Sequence, residues 1–212
     1  MSKLKDKDRA KEIIKILKKR YGKDIPLYLY YNKNKPYEFL FAVIMSAKCS
    51  DVRVNIVTKD LYKKYDTLLK FASANVRELE KDIHSVGFYH NKAKNIIACA
   101  RMLLSDYAGI IPKDFESLLK LPGVGRKTAS VVISHIYNIP AMAVDTHVAR
   151  ISNILFKLNS KDVKVIEEKL KEIIDKKYWQ LWNTHIIALG REICVARNPK
   201  CDICPIFHIC KK

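Results

Sequence analysis

Lys127 stands two residues beyond the second glycine of LPGVGRKTA, residues 121–129. Its primary amine could attack a sugar carbon if something nearby held the sugar's phosphate and a carboxylate steadied the developing cation. Asp145, 18 residues further on in VDTHVAR, is the candidate carboxylate. It stands where a helix should begin and so also suits an N-cap, and one carboxylate can serve both ends. To attack, an amine must be neutral. At an ordinary lysine pKa of about 10.4, only roughly 1 in 2500 is neutral at pH 7. Desolvation against a bound polyanion, with Arg126 as a neighbouring cation, favours the neutral form. Most lysines in so basic a chain are merely solvated, and only its position singles out Lys127.

The turn before it supplies the phosphate site. DFESLLK reads as a short helix with Phe115, Leu118 and Leu119 inward. RKTASVVISHIY reads as the next, with Ala129, Val132, Ile133 and Ile136 on its apolar side. Lys127, Ser130 and Ser134 fall on the polar flank of that helix. Between the two, Gly123 and Gly125 are expected to supply positive φ and to let another backbone come close. The first amides of the second helix, aided by its dipole, suit an anion. Leu121, Gly123, Val124, Gly125 and Arg126 are therefore expected to hold a nucleic-acid backbone without reading its sequence.

A second constellation lies near the C-terminus, where Cys194, Cys201, Cys204 and Cys210 are spaced Cys-x6-Cys-x2-Cys-x5-Cys. Four thiolates in a short segment suit a tetrahedral zinc or a cubane iron–sulfur cluster, and the spacing leaves both open. Disulfides are disfavoured because the N-terminus has no secretory signal. Arg197 and Lys200 make the loop between the first two cysteines basic. Cys49 and Cys99 are isolated and read as ordinary buried thiols.

The elements that must position these groups are helical. Apolar residues recur at helical spacing in RAKEIIKILKKRYG, VNIVTKDLYKKY, AKNIIACARMLLSDYAG and VKVIEEKLKEIID. PYEFLFAVIMSA is apolar enough for a buried helix. Gly22 suits a C-cap. Turn signals fall at 34–36, 85–87, 109–112 and 139–140, and no run alternates as a strand would, so the fold class is all-α. The 212 residues carry 40 Lys+Arg against 22 Asp+Glu, a formal net charge of +18. That surplus points to a nucleic-acid partner over the alternative of a solvated lysine coat. No apolar stretch approaches the roughly 18 residues of a membrane span, so a soluble, cytoplasmic protein is expected.

LPGVGRKTA, VDTHVAR and the four cysteines, in that order and spacing, resemble the endonuclease III branch of the helix-hairpin-helix DNA glycosylases. The similarity extends through IMSAKCSDVRVN and VGFYHNKAKNI and so covers nearly the whole chain. It implies two helical domains flanking a DNA cleft. One is a six-helix module at about 29–139, with its hairpin at about 114–136. The other joins 1–28 to 140–212 and holds a [4Fe–4S] cluster on Cys194, Cys201, Cys204 and Cys210. The resemblance gives Lys127 the Schiff-base role and Asp145 the catalytic carboxylate. The implied activity is that of a monomeric DNA glycosylase and abasic-site lyase. It would remove oxidised pyrimidines from double-stranded DNA and cut 3′ to the site by β-elimination.

Three positions depart from the family's usual residues. Lys48 stands where Gln usually enters the space left by a flipped base. Phe88 replaces a common Leu wedge, and Ser130 a familiar Asn. A monofunctional adenine or mismatch glycosylase is the competing reading, but such relatives lack a lysine at position 127. A DNA-binding module without chemistry is the other, and it would have no use for Lys127 and Asp145.

Overall fold

A proline at the first helical position and a nearly unbroken apolar run create the central helix of residues 29–139. The computed structural model describes residues 5–22 and 29–210. Among them every regular element is helical, as the periodicity predicts, and no helix is long and apolar enough to cross a membrane. Contacts divide the chain into Met1–Pro26 with Pro140–Lys212, and Leu27–Ile139. The segment expected as 1–28 includes residues 1–4 and 23–28, which lie outside the described residues.

In Leu27–Ile139, α2 (Pro36–Ser46) buries every residue from Glu38 to Met45. Pro36 presets the helical φ, and its missing N–H costs nothing at that position. Helices α3 (Asp51–Lys64), α6 (Tyr89–Tyr107) and α8 (Arg126–Tyr137) pack against α2. The short helices α4 (Leu68–Ala72), α5 (Val76–Asp82) and α7 (Phe115–Lys120) complete the unit. α4 packs on α6 and contributes Phe71, whose ring meets Phe41 edge-on at 4.9 Å and Tyr65 stacked at 5.1 Å. Among the described residues the unit thus has seven α-helical segments, not the six expected. α4 is a single turn started by the Thr67 side chain accepting from the Lys70 amide at 3.2 Å, too short to leave a periodic trace.

In the other unit, α1 (Asp6–Tyr21), α9 (Thr146–Phe156), α10 (Val163–Ile173) and α11 (Trp179–Glu192) enclose one core. Ile13, Leu17, Val148, Ile151, Leu170, Trp182, Ile186 and Leu189 are buried within it. α1 ends at Gly22, whose amide donates to Lys18 O at 3.0 Å with φ 86°, the C-cap expected there. Arg20 and Tyr21 both reach Glu192, at 2.5 and 2.7 Å, and so pin the end of α1 to the end of α11. The cysteine segment continues directly from α11.

Candidate DNA-binding and catalytic site

The hairpin begins at Asp114, whose carboxylate accepts from the Ser117 amide at 2.8 Å and starts α7. That hydrogen bond holds its carboxyl below the usual range. α7 closes with Leu121 N donating to Leu118 O at 3.2 Å, and the chain reverses with Val124 N on Leu121 O at 3.0 Å. Gly123 takes φ 79° in this turn, as a left-handed position requires. Gly125 does not: it is extended at φ −94°, ψ 177° and starts α8 with no side-chain cap. Its lack of a side chain serves a different purpose, since a Cβ there would meet no protein atom within 4 Å. Gly125 stands at the start of α8, where the amides of Arg126, Lys127 and Thr128 precede the first α8 bond from Ala129 N to Gly125 O at 2.9 Å.

Not all the expected backbone contacts are side-chain contacts. Leu121 and Val124 are buried, so they can meet DNA only through main-chain atoms. Arg126 is turned back, its guanidinium 5.0 Å above the Phe115 ring. Lys127 is exposed, and no hydrogen bond or ion pair holds it among the described residues. Ser130 and Ser134, at i+3 and i+7 on the same flank of α8, are not solvated as Lys127 is. They are 2% and 7% exposed, small enough to lie in packed surroundings, and Ser134 satisfies its hydroxyl on Val131 O at 3.2 Å.

Lys48 and Phe88 are brought together. Each is an exposed residue in the left-handed region, at φ 57° and 60°, and Phe88 is 69% exposed. A Cβ on Gly87 would lie 3.4 Å from the Lys48 carbonyl, so the two turns adjoin. Cys49, expected to be buried, is half-exposed in the Lys48 turn, because α2 has ended and the chain runs along the surface. Cys99 is buried as expected, and burial pushes its thiol up to about 12.

In the other unit, Asp145 caps α9. Its Oδ1 accepts from both the His147 amide at 2.9 Å and the Val148 amide at 2.8 Å. The second oxygen accepts no hydrogen bond from the described residues, so the cap leaves half of the carboxylate for another partner. The buried run Met142–Val144 anchors it from behind. α9 is seated by Gly190 of α11, where a Cβ would fall 2.6 Å from His147 Nδ1 and 3.0 Å from Ile151 Cδ1.

The four cysteines line one cavity of about 210 Å³ with Arg150, Leu189, Ile206 and Phe207. No disulfide joins the four cysteines, and each is half-buried. Short turns aim them inward: Cys194 N donates to Leu189 O at 2.7 Å, Cys204 N to Cys201 O at 3.2 Å and Cys210 N to Phe207 O at 3.1 Å. Burial first, and then the other three cysteines, push the Cys204 thiol up. Sulfurs on one tetrahedral zinc stand roughly 3.8 Å apart. Among the described residues no three Cys, His, Asp or Glu are gathered tightly enough for a single ion. Four thiols lining one shared cavity are the donor set that a cubane cluster takes. Lys200 N donates to Ile193 O at 3.0 Å and closes the loop that displays Arg197 and Lys200 to solvent.

Four residues that sequence reading passed over complete this picture. Arg150 Nη1 donates to Cys194 Sγ at 3.8 Å. Gly190, Asn95 and Lys92 seat the Asp145 helix, the hairpin turn and the Lys48 turn respectively. Each works through packing or long-range hydrogen bonds that leave no local pattern.

An all-helical protein with a glycine hairpin, an uncapped helix start and a four-thiol cavity has the parts of a cluster-bearing DNA repair enzyme. Residues 41–176 match the HhH-GPD superfamily base excision DNA repair protein model, and residues 194–210 match the iron–sulfur binding domain of endonuclease III. Endonuclease III of Rickettsia conorii is 46% identical over 178 residues, covering 82% of this chain and 83% of that protein. That of Bacillus subtilis is 43% identical over 180 residues, covering 84% and 82%. A solved structure of a trapped endonuclease III–DNA covalent intermediate superposes with a TM-score of 0.90 at 41% identity, covering 98% of this chain and 97% of its own. The chain belongs to the endonuclease III family of helix-hairpin-helix base excision DNA repair proteins. It is a DNA glycosylase, and its cysteine segment holds a [4Fe–4S] cluster.

Proposed function

We propose that the enzyme is bifunctional, removing oxidised pyrimidines from duplex DNA and then cutting the strand through an imine on Lys127. The observation that carries the reading is the exposed Lys127 amine at the second position of α8, a helix that starts at Gly125 with no side-chain cap. The first amides of that helix, with Gly125 leaving room, take a backbone phosphate. The damaged nucleotide leaves the stack, at least cost where stacking is already poor. Lys127 Nζ forms a bond to C1′ as the base departs with the electron pair of the glycosidic bond and takes up a proton. The new amine loses a proton, and its lone pair then breaks the C1′–O4′ bond as O4′ takes up a proton, leaving an open sugar joined to Lys127 by a protonated imine. Removal of a C2′ proton then expels the 3′ phosphate, and water hydrolyses the imine to free the lysine.

Asp145 serves by its uncommitted oxygen. It stabilises positive charge on the sugar and passes protons, while the two amides on Oδ1 fix its direction. The relative at 41% identity was trapped as a covalent intermediate with DNA, the kind of species an amine nucleophile gives. Cys194, Cys201, Cys204 and Cys210 would hold the cluster, which supplies a rigid frame for the loop bearing Arg197 and Lys200. Lys48 and Phe88 are assigned to the space the flipped nucleotide vacates. The enzyme acts as a monomer on DNA in the cytoplasm.

The test is a duplex with one thymine glycol, scored separately for released base and for strand cleavage. Wild type is expected to give both. Asp145→Asn should lose at least roughly 100-fold in base release. Base release without cleavage by wild type would make the enzyme monofunctional.

A further inference from the structure

Three exposed loops share one backing element, the first half of α6. Phe88 starts that helix, Lys92 stands one turn in and Asn95 one turn further. Lys92 and Asn95, at i and i+3, lie along one side of the helix that Phe88 precedes. Asn95 packs on the hairpin at Gly123. Lys92 is only 5% exposed, and its Nζ donates to Met45 O at 2.8 Å and to Ala47 O at 2.5 Å. Those carbonyls end α2, where a helix has no N–H donors left for its last carbonyls and its dipole favours a cation. Burial pushes the Lys92 amine down, a cost that only good partners offset.

Immediately beyond those carbonyls the chain turns at Lys48, with Cys49 N on Ser46 O at 3.1 Å. The Phe88 turn lies against it at Gly87. Lys48 and Phe88 both hold a backbone conformation that side-chain-bearing residues avoid, and such strain persists only where neighbours enforce it. Lys92 is the enforcing contact that spans both turns. It sits on the Phe88 helix and ties down the carbonyls that precede Lys48.

We propose that Lys92 is a positioning residue for lesion recognition. By fixing the end of α2 against the start of α6, it presents Lys48 and Phe88 as one preset pair that enters the DNA stack when a nucleotide leaves it. The inference rests on the reading of this chain as a glycosylase acting on duplex DNA. A preset pair loses little freedom on insertion, which matters because unstacking already costs a few kcal/mol. Single-stranded DNA has no opposing strand to invade, so it does not need the pair.

The experiment compares wild type with Lys92→Met in borohydride trapping on an abasic site, once in a duplex and once in a single strand. A duplex with 2-aminopurine opposite the abasic site reports unstacking separately. Lys92→Met should trap the single strand at the wild-type rate and the duplex at least about tenfold more slowly, with a smaller 2-aminopurine signal. Equal slowing on both substrates, or none on either, overturns the proposal. If wild type traps neither, the imine reading fails, and the 2-aminopurine signal still decides the role of Lys92. Should Lys92→Met not fold, Lys92→Arg carries the same comparison. It keeps a cation at the end of α2 but is too long for the two carbonyls, so it should show the duplex-only loss, and equal loss or none would overturn the proposal.

Discussion

Asn95 occupies the space that any side chain at position 123 would need: a Cβ on Gly123 would lie 2.9 Å from Asn95 Cβ and 3.3 Å from its Cγ. The hairpin turn is therefore held from beneath by α6 as well as by its own hydrogen bonds. Gly123→Ala has to be accommodated against both this contact and φ 79°. It should lower stability by roughly 1–3 kcal/mol. It should also weaken duplex binding in a gel-shift titration, because the amides at the start of α8 move with the turn.

Gly190 plays the matching part beneath α9. Gly190→Ala puts a methyl 2.6 Å from His147 Nδ1 and 3.1 Å from its Cβ, inside the body of the ring side chain. Overpacking of this kind costs about 1–3 kcal/mol. The melting temperature should fall, and base release should fall with it, because α9 starts at Asp145. A melting temperature unchanged from wild type would show that α9 and α11 can separate without cost.

The N–H···S bond from Arg150 to Cys194 bears on the cluster. Hydrogen bonds to the thiolates stabilise the more reduced cluster and help to retain it. Arg150→Leu should lower the cluster's reduction potential and hasten bleaching of its visible absorbance by a chelator. An unchanged potential would remove Arg150 from the cluster's environment.

Acid sensitivity follows from two histidines, His135 half-buried and His185 buried. Burial holds His135 and His185 below the ordinary 6.5, and His185 Nδ1 is buried with no acceptor to receive a proton. With folded values depressed, the unfolded chain takes up protons first. The stability these groups contribute is complete above about 6.5 and is lost as pH falls through the folded values. Urea midpoints should decline from pH 7 to about pH 5.5, and His185→Gln should flatten part of that slope.

What could be read directly in the sequence was whatever has a local signature. Periodicity located α6 and α8, a nearly unbroken apolar run located α2, and its place before a helical pattern marked Asp145 as an N-cap. The clustered cysteines announced a metal group, though their spacing did not choose between zinc and cluster. Two assignments failed for want of tertiary context. Gly125 looked like a second left-handed glycine but is extended, its missing side chain leaving room for a ligand. Ser130 and Ser134 looked solvated because serine is polar, yet both are small enough to be buried. Lys92 was invisible among so many lysines, since only the fold reveals that its amine ends on two carbonyls 45 and 47 residues away in sequence.

The most direct test of the account is borohydride trapping on a thymine glycol duplex, comparing wild type with Lys127→Ala. Reduction of the imine should leave a covalent protein–DNA adduct with wild type and none with Lys127→Ala, while the variant still binds the duplex. An adduct of equal yield with Lys127→Ala, or none with wild type on either a thymine glycol or an abasic site, would contradict it.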